Sequence, residues 1–178
     1  VINLRVGRQT FDFDCGPKAL QSVLAYYGIE VREDALIREL GADRGGTPPE
    51  RMVAVARRMG FDVHAHDGFS LDEVKAYVDH GHPVIVLLQA WADRYMTLQD
   101  WARDYDNGHY AVVIGHVEGV IIFEDPASFR RTWLTEEEFL VRWHDMHPHT
   151  KRRYQHFAIV LLGREPVGSG EDEAQHMD

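Results

Sequence analysis

DCGPKALQSVLAYYG, residues 14–28, carries apolar side chains at Ala19, Leu20, Val23, Leu24 and Tyr27, the spacing of a helix with one buried face. Asp14 is placed to cap that helix and Gly28 to end it. Pro17 is tolerated in its first turn, where the missing N–H would have had no partner. Cys15 is therefore expected at a helix N-terminus, where unpaired N–H groups and aligned dipoles favour negative charge. The carboxylates of Asp12 and Asp14 oppose that if they point at the sulfur, so Asp14 is expected to face the helix backbone and Asp12 the solvent. Cys15 is the single cysteine, which rules out an intramolecular disulfide. From composition alone, such a cysteine reads as a small buried apolar residue.

Downstream, helices are expected over Arg32–Leu40 and Pro49–Met59, separated by the turn-forming GADRGGTP and closed by Gly60. A short strand at Phe61–His66, a helix at Leu71–His80 and a buried strand in PVIVLLQ follow. Residues 90–108 are aromatic and charged without a strand period and read as a lid-like excursion. HYAVVIGHV and VIIFEDPA form a hairpin turning at Glu118-Gly119. Thr135 and Glu138 make a capping box for a helix over Glu136–Trp143, and HFAIVLLG is a last strand. Helices first and strands mostly later indicate an α+β fold with the first helix packed on a mostly antiparallel sheet. One domain is expected over residues 1–163, with a polar, Gly-rich flexible tail over 164–178.

The 178 residues suit one compact core, and the formal charge of -10 opposes binding to a phosphate backbone, so nucleic acid is excluded as a partner. No run approaches the roughly 18 apolar residues of a membrane span, and VINLRVGRQ lacks the apolar core of a signal peptide. A cytoplasmic location is the expectation. A start at Val1 rather than Met is compatible with removal of an upstream segment.

Two further pieces bear on Cys15. His109 opens a strand right after Asn107-Gly108, where a side chain can meet a cleft. Asp125 ends the next strand, and Pro126 stops its pairing. In a hairpin turning at Glu118-Gly119 the two lie at the same open end, where a carboxylate can set the histidine tautomer and stabilise its protonated form.

Taken together, Gln9, the DCGPKAL segment with Cys15, GHYAVVIG with His109 and FEDPA with Asp125 resemble the bacteriocin-processing, double-glycine-leader peptidases, a papain-like family. The order Gln, Cys, His, Asp is kept, glutamine precedes cysteine by the same six positions, and GGTPPERMVAVARRMGF resembles the family's glycine-to-helix stretch. The resemblance implies a papain-like cysteine peptidase that cuts a peptide bond through an acyl-enzyme. Cys15 would be the nucleophile, His109 the base, Asp125 the orienting group and Gln9 the oxyanion donor. It implies a peptide or protein substrate, a Gly-Gly-type leader among the candidates, and no cofactor. An exporter is an implied partner, because family members are often the N-terminal domain of an ABC exporter. Pro17 and the long 90–108 stretch depart from the family pattern. An amidase or acyltransferase with the same residues, and a peptide-binding module that does not cut, remain the rival readings.

Trp91, Tyr95, Trp101, Tyr105, Asn107 and Gly108 are candidates for lining a peptide groove, since aromatics offer large rigid surfaces to extended chains. His144, His147, His149 and His156 are dense, but Pro148 interrupts the tract and cations follow it, so it reads as a solvated loop with no metal site.

Overall fold

A computed structural model describes residues 1–167 and 177. The period after Asp14 forms α1 (Cys15–Tyr26), which buries Ala19, Leu20, Val23 and Leu24. Gly28 follows at φ 85°, a left-handed conformation that glycine adopts without a Cβ clash. Next come α2 (Glu33–Leu40), α3 (Pro49–Arg58), β1 (Asp62–His66), α4 (Leu71–Asp79) and β2 (Val84–Gln89), each close to the bounds read from the sequence.

The 90–108 excursion is not wholly irregular, because it contains α5 (Leu98–Arg103). Thr97 Oγ1 accepts from the Asp100 N–H while the Asp100 carboxylate accepts from the Thr97 N–H, a capping box that lets a helix of under two turns form. Then β3 (Gly108–Val117) and β4 (Val120–Glu124) make the expected hairpin. Glu118 and Gly119 both take positive φ, 47° and 82°, the type I′ pattern that matches strand twist.

Three strands went unread in the sequence: β5 (Thr132–Thr135), β6 (His144–Met146) and β7 (Arg153–Gln155). Between the first two lies α6 (Glu136–Arg142), capped by Thr135 as expected, and β8 (Ala158–Leu162) closes the sheet. The expected solvated histidine loop is thus a correction. Its two ends pair as the β6–β7 ladder, and His144 is buried with Nε2 2.7 Å from the Asp104 carbonyl. His156 is stacked on Trp143.

Six strands pair in the order β1-β8-β2-β3-β4-β5, every pair antiparallel. The central β2 is buried along its whole length and β3 along most of it, because α1 and α4 pack on β3 while α6 packs on β2.

One irregularity in the hairpin matters for the site. From the turn, Val117 pairs with Val120 and Gly115 with Ile122, but Val113 then pairs with Phe123, leaving Ile114 as the extra residue of a bulge. Continued without the bulge, the register would set Asp125 opposite Val112, on the face away from His109. The shift sets Asp125 opposite Ala111, diagonal to His109 and on its face. The Ile2 N–H donates to the Ile114 carbonyl at 2.7 Å, supplying a partner at the irregular position.

Residues 164–167, the start of the expected tail, lie against the body: the Arg164 guanidinium sits over the Phe61 ring, and the Val167 N–H donates to the Tyr26 carbonyl. Residues 168–176 and 178 lie outside the described residues. Among the described residues no helix is long and apolar enough to cross a membrane.

Candidate active site

His109 sits at the start of β3 opposite Leu88 of β2, and Asp125 follows β4 directly. The His109 Nε2 and Asp125 Oδ1 atoms are 2.6 Å apart, with side chains only 7% and 6% exposed. Oδ1 also accepts from the Ala127 N–H at 2.8 Å, and Oδ2 accepts from the Trp91 indole N–H at 3.0 Å. These donors fix the carboxylate in its plane. The Cys15 side chain, at the first residue of α1, lines the same cavity as this imidazole. With Nε2 committed to Asp125, Nδ1 is the ring nitrogen left for the sulfur.

Burial by itself pushes the His109 imidazolium down, but the hydrogen bond to Asp125 and the neighbouring Cys15 side chain outweigh it and carry its pKa up to about 10. Burial raises the Asp125 carboxyl as well. The His109 hydrogen bond and charge, helped by Ala127 and Trp91, bring it below its ordinary value. Both directions describe a carboxylate–imidazolium pair in an almost closed setting.

Cys15 and His109 open onto a cavity of about 290 Å³ that Gly45, Gly46 and Thr47 also wall. The Tyr110 hydroxyl donates to the Thr47 carbonyl at 2.7 Å, tying that wall to the strand that carries His109. Gly16 lets α1 come this close: a Cβ there would lie 3.1 Å from Thr47 Cβ and 3.2 Å from the Tyr110 ring.

Asp12 is exposed at the cavity's edge, as expected. Asp14 departs from the expectation. Its side chain makes no cap bond to α1 and instead accepts the backbone N–H groups of Thr10 and Phe11, each at 2.9 Å, so it folds the preceding loop back over the helix start. A loop with unpaired N–H groups competes for the carboxylate as effectively as the helix does. Gln9 lies in that loop. Its Nε2 donates to the Phe11 carbonyl at 2.7 Å, its Oε1 is buried without a partner among the described residues, and it is not among the residues lining the cavity.

Of the groove candidates, Tyr105 and Gly108 line the cavity with Cys15. Trp91 lies on the far side of His109, in a second cavity. Tyr95 is 87% exposed and lines neither of the two, Trp101 is packed under the Arg142 guanidinium, and Asn107 is bound back to Asp104 and Gln89. The excursion folds on itself, which draws these three side chains off the cleft.

Two features escaped the sequence. The indole of Trp91 is a partner of Asp125, a contact between residues 34 positions apart that no local pattern announces. Asp145, in β6, lines the cavity beside Gly108, where a Cβ would come 2.5 Å from its Oδ2. Burial pushes its carboxyl up to about 6 despite hydrogen bonds from Met146 and Gln89. The signal available was an acidic residue amid apolar Trp143 and Met146, but it lay within a tract dominated by histidines. Among the described residues no group of three or more His, Cys, Asp or Glu side chains could hold a metal ion.

Residues 5–151 match the Peptidase_C39 like family, and the chain belongs to that family. The search of curated proteins finds no match. Three solved structures share the fold over nearly their whole length. A putative C39-like peptidase from Bacillus anthracis is 18% identical, with 91% of this chain and 96% of that chain covered and a TM-score of 0.69. The peptidase domain of Streptococcus ComA, a bi-functional ABC transporter involved in a quorum sensing pathway, is 24% identical, with coverage of 90% and 98% and a TM-score of 0.64. A double glycine motif protease from an AMS/PCAT transporter, solved in complex with the leader peptide, is 18% identical, with coverage of 93% of each chain and a TM-score of 0.62. The α+β, papain-like fold expected from the sequence is the fold these structures share.

Proposed function

We propose that this member of the C39-like peptidases hydrolyses peptide bonds through a Cys15–His109–Asp125 triad and an acyl-enzyme. The observation that carries the reading is the buried imidazole bonded to Asp125 at 2.6 Å and lining one cavity with Cys15, the first residue of α1. In this mechanism the thiol proton rests on His109 and the Cys15 thiolate attacks the scissile carbonyl. The carbonyl oxygen takes the negative charge. The Cys15 backbone N–H, freed at the start of α1, donates to it, and Gln9 is proposed as the second donor through the amide hydrogen not held by Phe11. As the C–N bond breaks, His109 passes its proton to the departing amine, leaving a thioester on Cys15. Water then attacks that thioester, His109 taking its proton, and the acid product leaves as the thiol re-forms. Asp125 stays ionised throughout and holds the ring.

A peptide cut after a double-glycine-type motif is the substrate class that the names of the relatives support. An exporter as partner and a cytoplasmic location rest on the same analogy.

The test is cleavage of synthetic peptides spanning a double-glycine motif, followed by mass spectrometry, with the Cys15→Ala variant incubated in lysate to retain and identify bound peptides. Cleavage by the wild type that is lost in Cys15→Ala and His109→Ala supports the reading. Peptide retention by both forms with no cut in either supports a binding module instead.

A further inference from the structure

His109 separates two cavities, and only one of them contains Cys15. The second, of about 190 Å³, is lined by His109 and Asp125, by apolar walls that include Leu88, Phe123 and Leu134, and by the guanidinium-bearing Arg142. Trp91 and Trp133, 55% and 62% exposed, also line it. In an acyl transfer at Cys15 the acyl part stays with the sulfur, while the departing amine must lie against the imidazole that protonates it. A cavity that shares the histidine but not the cysteine is therefore on the leaving-group side.

Arg142 gives this cavity a chemical preference. Its Nε donates to the Gln89 carbonyl at 3.0 Å and its planar group lies 3.8 Å from the Trp101 ring centre, so the cation is held in place rather than waving in solvent. Among the described residues no carboxylate forms an ion pair with it. Glu138, one helical turn earlier, acts on it only through its field and accepts the Thr135 N–H. The other two charged groups in the cavity, Asp125 and His109, face each other. A fixed, half-buried guanidinium whose terminal nitrogens bond to none of the described residues, set in apolar walls beside the leaving-group position, matches an apolar residue that carries a carboxylate.

Resting on the peptidase reading, we propose that this cavity is the subsite for the residue released from the acyl-enzyme, and that Arg142 selects a carboxylate on it. The carboxylate is either the α-carboxylate of a terminal residue or an acidic side chain.

Acceptor partitioning tests this in the whole chain. An acyl-enzyme formed from a peptide ester is offered amine nucleophiles, each of which re-enters through the leaving-group subsite, attacks the thioester carbonyl and gives up a proton to His109. The ratio of new amide to acid product reports its fit. Leucine against leucinamide reads the α-carboxylate, and glutamic acid α-amide against glutamine α-amide reads the side chain. The acid member of at least one pair is expected to partition about five- to tenfold better, an advantage that Arg142→Gln removes. Equal partitioning within both pairs, or a preference that persists in Arg142→Gln, overturns the proposal. Absence of any thioester on Cys15 overturns the peptidase reading beneath it, and the wild-type comparison stands even if the variant folds poorly.

Discussion

The Trp91 indole N–H donates to Asp125 Oδ2 at 3.0 Å from a backbone held at φ 62°, a left-handed conformation uncommon for a bulky residue. A strained tryptophan whose one donor reaches a buried carboxylate points to a positioning role. Its bond helps keep the Asp125 carboxyl below its ordinary value. Trp91→Phe keeps the ring and the backbone demand but removes the donor. The expected result is a fall of about tenfold in kcat with KM little changed, and an acidic limb of the kcat profile displaced to higher pH. An unmoved limb would reduce Trp91 to packing.

The His109 pKa of about 10 lies above the ordinary imidazole value of 6.5, so the folded state holds this proton more tightly than the unfolded chain. The stability it contributes is complete below the unfolded value and is lost as pH rises through the folded one. Because the proton on His109 is the one Cys15 gives up, the unfolded chain binds as many protons as the folded one until its thiol ionises near the ordinary value of about 8.5. Between about pH 8.5 and 10, unfolding free energy should fall by up to ~1.4 kcal/mol per pH unit. Denaturant titrations of wild type and His109→Gln across that window check it; equal slopes would contradict the pairing.

Asp145 has the opposite consequence for neutral-pH stability. Its carboxyl, raised to about 6 by burial, favours the protonated form in the folded state. That contribution is complete below the unfolded value near 3.8 and lost as pH rises through about 6. Asp145→Asn should therefore be more stable than wild type at pH 8, by on the order of 2 kcal/mol, and indistinguishable at pH 4. Thermal melts at the two pH values read the difference.

Gly16 is packed against Thr47 and the Tyr110 ring, both buried and neither free to swing away. Gly16→Ala should cost about 1–3 kcal/mol through overpacking. Because Thr47 walls the Cys15 cavity, peptide cleavage should fall along with the melting temperature. A stable variant with full activity would mean that the wall can retreat.

What was legible in the sequence was local. The period of α1, the Thr135–Glu138 and Glu118-Gly119 signals and the apolar run of β2 are each carried by residues within one element. The strands β5, β6 and β7 are three or four residues long and owe their conformation to partners elsewhere, as in Asp145 against Tyr154. The pairing of His109 with Asp125 was expected from a simple hairpin, yet the register works only because Ile114 bulges. Nothing in AVVIGHV marks which residue will be the extra one. The position of Asp14 before the helix predicts a cap, but the loop before it holds the donors that its carboxylate takes.

The account stands on proton sharing between Cys15 and His109, and the rate of thiol alkylation reports it directly. Iodoacetamide reacting with Cys15 near pH 6 should be much faster than with free cysteine, and His109→Ala should bring the rate down to that of an ordinary thiol. A slow reaction that accelerates only as pH approaches about 8.5, the ordinary thiol value, and that His109→Ala leaves unchanged would contradict it.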